Sequence, residues 1–194
     1  MAEELSPGMQ NVEASIASER KIQEYMDRLD ISEEDLKRWQ NILDLGSGTE
    51  QEFAKGIKTI NPKARVVSLD PRQGLAEEID LESYFPEEKD ARLRGRRNPE
   101  ENTVAGLAQE LPFKDGSFDA VLALHSVPQY LKEPEINLAL GEIVRVLKAG
   151  GEARIHPVLE SKDLESVNQF LRQRQGDIKG AYKEKNHLFV IKKS

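Results

Sequence analysis

The stretch Asn41–Ile57, NILDLGSGTEQEFAKGI, decides how the rest of the chain is read. Ile42 to Leu45 form a short apolar run that suits a buried strand. Phe53, Ile57 and Ile60 then recur at helical spacing until Asn61-Pro62 stops them. Between the two lies a turn carrying Gly46 and Gly48. A strand that turns tightly into a helix presents free backbone N–H groups, and the positive end of the helix dipole, to whatever lies above it. Glycine at these positions lets the backbone bend and a ligand approach with no Cβ in the way. The loop therefore suits a nucleotide-like ligand.

Strand and helix patterns alternate downstream. ARVVSLD from Ala64 reads as a second buried strand with Asp70 at its tip, where an acid can accept from both hydroxyls of a ribose. A helix is expected around LAEEIDLESY, then a charged, irregular stretch, then a short third strand near TVAGL. SFDAVLALHS from Ser117 is the clearest strand, an apolar run bounded by a turn, as in a parallel sheet covered on both faces. EPEINLALGEIVRVLKAGG follows as a helix with Pro134 in its first turn. Its buried stripe is Ile136, Leu140, Ile143, Val144 and Leu147, and Gly150 and Gly151 make a left-handed exit. EARIHPV gives a fifth strand, LESVNQFLRQR a helix, and GAYKEKNHLFVIKK a closing hairpin. Upstream, Asn11–Asp30 reads as an amphipathic helix with Ile16, Ile22, Tyr25, Met26 and Leu29 on one side. Ser32 and Asp35 make a capping box before Leu36 and Trp39. Both helices are expected to cover an edge or mouth of the fold.

The expected class is α/β: a three-layer αβα, Rossmann-like sheet, mostly parallel with an antiparallel C-terminal strand, plus N-terminal helices. Residues 1–40 form a helical extension and residues 41–194 the main domain, with the charged insertion at about 85–102. A chain of 194 residues can bury a core of this kind. Charged residues make up 32% and the net charge is -7, which argues against a general affinity for nucleic acid or anionic membrane. With no cysteine, disulfides, thiolate metal sites and thiol nucleophiles are excluded. His125, His156 and His187 lie far apart in the sequence with no zinc-ligand spacing, so no metal is expected. No apolar run is long enough to span a membrane, and the acidic start MAEELSPGMQ has no secretion h-region, so a soluble, cytoplasmic protein is expected.

A nicotinamide or flavin dinucleotide site needs G-x-G-x-x-G, and this chain has Gln51 where the third glycine belongs. Four other segments, in order, point elsewhere. LDLGSG is an acid followed by x-G-x-G, VVSLD ends a second strand on an acid, LAQELPFKDGSFDAVLALHSV leads into the fourth strand, and EIVRVLKAGGEARI turns into the fifth. Together they resemble the class I S-adenosylmethionine-dependent methyltransferases, with Ala149 in place of the usual proline of VLKPGG. The terminal hairpin fits the antiparallel strand that sets that fold apart.

The resemblance implies that S-adenosyl-L-methionine is the cofactor. Asp44, Leu45, Gly46, Ser47 and Gly48 would hold its amino-acid end. Asp70 and Pro71 would hold its ribose, and Leu107 and Ala108 its adenine. His125 and Ser126 would face the methionine part and the acceptor, with His125 the candidate base. Two positions depart from the family pattern. Glu50 replaces a glycine; it either points outward or competes for the anion-friendly helix end. Leu107 replaces an acid that would accept from the adenine amine, a role Gln109 is placed to take over. The chain has HSVP after its fourth strand rather than the N-P-P-aromatic motif of enzymes that methylate exocyclic amines in nucleic acid, which disfavours a nucleic-acid acceptor. A small molecule is the first expectation and a protein side chain the second, by direct displacement. Read from its own residues, the charged insertion is either a solvated loop or a lid whose Arg92, Arg94, Arg96 and Arg97 contact an anionic substrate. The rival reading is a non-catalytic binding or scaffold domain with a degenerate pocket.

Overall fold

The computed structural model describes residues 20–48, 51–71, 96–98, 102–159 and 161–194. The N-terminal half of the first expected helix, Thr49, Glu50, the expected helix after Asp70 and most of the charged insertion lie outside these residues. The elements are α1 (Ile22–Leu29), α2 (Glu33–Arg38), β1 (Asn41–Leu45), α3 (Glu52–Ile57), β2 (Arg65–Leu69), β3 (Arg96–Asn98), β4 (Thr103–Ala105), β5 (Phe118–Leu124), α4 (Glu133–Val146), β6 (Leu147–His156), α5 (Ser161–Gln173), β7 (Ile178–Lys183) and β8 (Leu188–Lys193).

The strands form an eight-stranded sheet in the order β3-β4-β2-β1-β5-β6-β8-β7. The inner pairs β4–β2, β2–β1, β1–β5 and β5–β6 are parallel. The β6–β8, β7–β8 and β3–β4 pairs are antiparallel. Buried strands alternate their side chains between two apolar layers. Leu43, Leu45, Val121, Ala123, Ala153 and Ile155 enter one core with α4 and α5. Ile42, Ala120, Leu122 and Leu124 enter the other with α1, α2 and α3. The N-terminal segment therefore belongs to one core layer: Tyr25, Leu29, Leu36 and Trp39 are each 2% exposed or less.

Local chemistry explains the caps. The Ser32 hydroxyl accepts from Asp35 N–H while Asp35 accepts from Ser32 N–H, the expected reciprocal cap. Asn61 Nδ2 donates to the carbonyls of Leu36 and Trp39, both at 3.0 Å, and so closes α2. Arg145 of α4 donates to the carbonyls of Leu111 and Phe113 and to Asp115, while Glu142 accepts from Leu111 N–H. That bracket holds the LPFKDGSF turn against α4.

Two expectations need correction. The helix after Pro134 ends at Val146, because Leu147 is already extended (ψ 138°). Gly150, with φ +75°, makes its left-handed turn inside the first part of β6, where that strand shifts register against β5 between Phe118 and Ala120. The charged insertion is not irregular throughout. Arg96–Asn98 pair antiparallel with Thr103–Ala105 and add an edge strand that polar sequence did not disclose.

Candidate active site

The glycine loop begins where β1 ends. Gly46 N–H donates to Leu69 O at 2.7 Å, and Ser47 N–H to the same carbonyl at 3.2 Å, so the loop is tied to the tip of β2. Gly46 has φ +76°, and a Cβ there would lie 2.3 Å from Ser126 Cβ. Both the backbone angle and the space require glycine. Ser126, just past β5, donates its hydroxyl to Leu45 O at 2.7 Å, which closes the loop from the other side. Gly48, φ +71°, donates its N–H to Asp70 Oδ2 at 3.1 Å.

Two carboxylates are thus buried side by side at the carboxyl ends of β1 and β2: Asp44 is 0% and Asp70 4% exposed. Tyr25 of α1 donates its hydroxyl to Asp44, with 2.9 and 3.1 Å to the two oxygens. Burial pushes the Asp44 carboxyl up to about 7, assisted by the charge of Asp70 and opposed by the Tyr25 hydrogen bond and by Arg20. The Tyr25 hydroxyl is raised well above its ordinary value, first by burial and then by Asp44. Its ring stacks on Phe53 of α3 at 4.5 Å. Arg20 is 7% exposed, donates from one Nη to Gly46 O at 2.9 Å, and has a buried Nε with no hydrogen-bond partner among the described residues.

The remaining expected residues fall around this crevice. Pro71 follows Asp70 and is half-buried. Asp70 N–H donates to Val104 O, which brings the β2 tip beside β4. The turn after β4 carries Leu107, Ala108 and Gln109, all half-buried, and Glu110 N–H donates back to Leu107 O. His125 ends β5 in a left-handed conformation, φ +53°, unusual for a non-glycine residue. Glu50, Arg92 and Arg94 lie outside the described residues, as do the side chains of Arg96 and Arg97.

The structure also joins what the sequence keeps apart. His156, at the end of β6, lies edge-on to His125 with ring centroids 5.4 Å apart, and His125 N–H donates to His156 O at 2.7 Å. Burial lowers the His125 imidazole, with the Arg20 charge adding to it, and takes His156 down to about 4, with the His125 charge adding to it. Sequence reasoning missed Arg20, Tyr25 and His156 as site residues. Tyr25 sits on an apolar helix face, where an aromatic reads as core packing. Only its hydroxyl, positioned by the tertiary fold, sets it apart.

The sequence profile of a family described as "Methyltransferase domain" matches residues 43–155. A demethylmenaquinone methyltransferase of Listeria monocytogenes is 32% identical over 120 residues, covering 60% of this chain and 44% of that one. The chain spans less than half the length of the curated relatives it matches. Among solved structures, an amino pentose methyltransferase from Micromonospora echinaspora, with S-adenosylmethionine bound, superposes with a TM-score of 0.59 at 12% identity over 100% of both chains. An N-methyltransferase from Bradyrhizobium japonicum, in complex with S-adenosyl-L-homocysteine, gives 0.54 at 11% identity over 95% of this chain and 97% of that one. These likenesses, with β8 running antiparallel to β6, confirm the fold class, and no helix among the described residues is long and apolar enough to cross a membrane. The chain belongs to the methyltransferase-domain family of class I, whose methyl donor is S-adenosyl-L-methionine.

Proposed function

We propose that the chain transfers a methyl group from S-adenosyl-L-methionine to a small-molecule nucleophile by direct displacement. The observation that carries this reading is the buried pair Asp44 and Asp70 flanking a left-handed glycine turn. The donor set fits an amino acid joined to a nucleoside. Arg20, with its buried Nε lacking a partner, suits a carboxylate, and Asp44 suits an ammonium, which would also restore the ionised form that burial disfavours. The backbone of Leu45, Gly46, Ser47 and Gly48 would line the same end. Asp70 with Pro71 would take the ribose, and Leu107 with Ala108 the adenine. The sulfonium supplies the electrophile; the protein's task is to orient reactants and exclude water. The name of the Listeria relative, which refers to a quinone, supports a small-molecule acceptor. The acidic, cysteine-free composition supports work in the cytoplasm.

A scaffold reading has one observation of its own. Tyr25 already covers both oxygens of Asp44, Arg20 holds Gly46 O, and Asp70 holds Gly48 N–H, so much of the loop is satisfied by the protein itself. Titration calorimetry with S-adenosylhomocysteine separates the two. Micromolar binding that weakens at least ~30-fold, about 2 kcal/mol, in Asp70→Ala is the result expected of the enzyme. No heat at millimolar ligand would establish the scaffold.

A further inference from the structure

The chain is acidic, yet its C-terminal hairpin is not. From Arg172 to Ser194 it carries seven Lys and Arg against two Asp and Glu, a net charge of +5 in a chain whose total is -7. Strand β7 closes the sheet on this side, and no strand pairs with its outer edge among the described residues. Such an edge offers backbone N–H and C=O groups as a template for one more strand.

The two faces of β7 differ. Toward α5, Ile178 is buried, and Tyr182 donates its hydroxyl to Val158 O at 3.0 Å. Gly180 lies so close to Leu171 on that face that a Cβ would come within 2.4 Å of its Cδ1. On the other face Lys179, Ala181 and Lys183 are all exposed. Sheet edges are blunted by bulges, by proline or by charge. β7 pairs with β8 over six residues without a register shift and contains no proline, so charge alone guards it. Lys179 stands directly opposite Lys192, an arrangement that destabilises a ladder. Glu152 offsets Lys192 at 3.4 Å and Asp30 pairs with Lys183, whereas Lys179 has no ion-pair partner among the described residues.

That charge selects what can dock. A second copy fits poorly, because pairing about a two-fold axis at Ala181 sets Lys179 against Lys183. A nucleic-acid strand finds no aromatic ring among Lys179, Ala181 and Lys183 on which to stack its bases. An extended acidic segment satisfies the backbone groups and the charge together. We propose that β7 is a docking edge for an extended acidic segment of a partner protein, which adds a strand to the sheet and sets carboxylates four residues apart against Lys179 and Lys183. Those lysines are about 13 Å apart along the strand, four residues at ~3.3 Å each. The small Ala181 between them leaves room for an apolar side chain of the partner. Docking here is independent of the methyl-transfer reading, because β6 and β8 separate β7 from the crevice over β1 and β2.

The probe is a fluorescein-labelled eight-residue peptide in which threonine alternates with glutamate and valine, its two glutamates four positions apart, titrated into the full chain. Anisotropy should give a dissociation constant on the order of 100 μM, and amide exchange should slow along β7. Lys179→Glu should weaken binding at least ~10-fold and make the chain prefer a peptide with lysines in place of the glutamates, an inversion that misfolding cannot produce. No binding at millimolar peptide overturns the proposal. So does binding that survives Lys179→Glu or leaves exchange along β7 unchanged. An oligouridylate of equal charge that binds as tightly, or copies of the chain that pair through β7 in sedimentation, would replace the acidic segment with a different occupant and overturn it too.

Discussion

Asp44 and Arg154 lie in one row of the sheet, on either side of Leu122, which pairs with both. Paired residues share a face, so the two charges point the same way, and α1 spans them. Tyr25 of α1 rests on Asp44, while the carbonyls of Leu29 and Asp30 at its end accept from Arg154. Their surroundings differ. Arg154 also binds Glu152 at 2.7 Å and Asp35 at 2.9 Å, and its guanidinium lies 5.4 Å from the Trp39 ring. Asp44 has one hydroxyl donor, a like-charged neighbour in Asp70 and, across β2 in the same row, a Ser68 hydroxyl with no partner among the described residues. A buried charge that serves structure is saturated. A buried charge left short of partners is poised for a ligand.

The largest effect should come from the saturated end. Arg154→Leu leaves Glu152, 2% exposed, with only two cations on exposed side chains for compensation, the Lys192 ammonium at 3.4 Å and the Arg38 guanidinium at 3.5 Å. It also frees the Leu29 and Asp30 carbonyls. Breaking one partner of such a network costs about 3–5 kcal/mol, which thermal unfolding would record as a fall on the order of 10 °C. Because α1 is pinned at this end, affinity for S-adenosylhomocysteine should fall with it. A loss below ~1 kcal/mol would show that the network is solvated and that the comparison with Asp44 does not hold.

The second effect tests the poised end, and its sign depends on pH. A carboxyl whose folded value lies above its unfolded one holds its proton more tightly in the folded chain. Its contribution to stability is therefore complete below about pH 4 and is lost as pH rises through about 7. Asp44→Asn should accordingly be more stable than the wild type at pH 8, by on the order of 2 kcal/mol or ~5 °C, with the gain gone by about pH 4. The same variant should lose affinity for S-adenosylhomocysteine by at least ~30-fold. Melting curves at the two pH values, with calorimetry at pH 8, decide it. A variant less stable than the wild type at pH 8 would mean that Asp44 is adequately solvated or paired.

Most of the sheet was legible because its strands are apolar runs bounded by turns, and the two carboxylates were legible because they stand at strand ends beside glycines. What escaped was set by tertiary contact. Tyr25 reads as packing until α1 is laid over β1. The space that forbids a Cβ at Gly46 is occupied by Ser126, far away in sequence. His125 and His156 end adjacent strands separated by a whole helix, so no spacing rule brings them together. β3 escaped for a different reason: RRN is polar, and its pairing with β4 leaves no periodic apolar signal.

The smallest effect concerns the glycine the loop lacks. Gln51, where a dinucleotide fingerprint would place its third glycine, adopts φ +57° and ψ 34° as the N-cap of α3 and makes no side-chain capping hydrogen bond. A left-handed conformation costs a side-chain-bearing residue about 1–2 kcal/mol and glycine almost nothing, while glycine loses somewhat more entropy on folding. Glycine is also a tolerated N-cap. Gln51→Gly should therefore stabilise the protein by about 0.5–1 kcal/mol, a rise of ~2–3 °C in melting temperature, at pH 4 and pH 8 alike. That indifference to pH separates strain in the loop backbone from the Asp44 charge beneath it. A destabilised variant would show that Gln51 contributes through its side chain, and that the loop is shaped by more than its backbone.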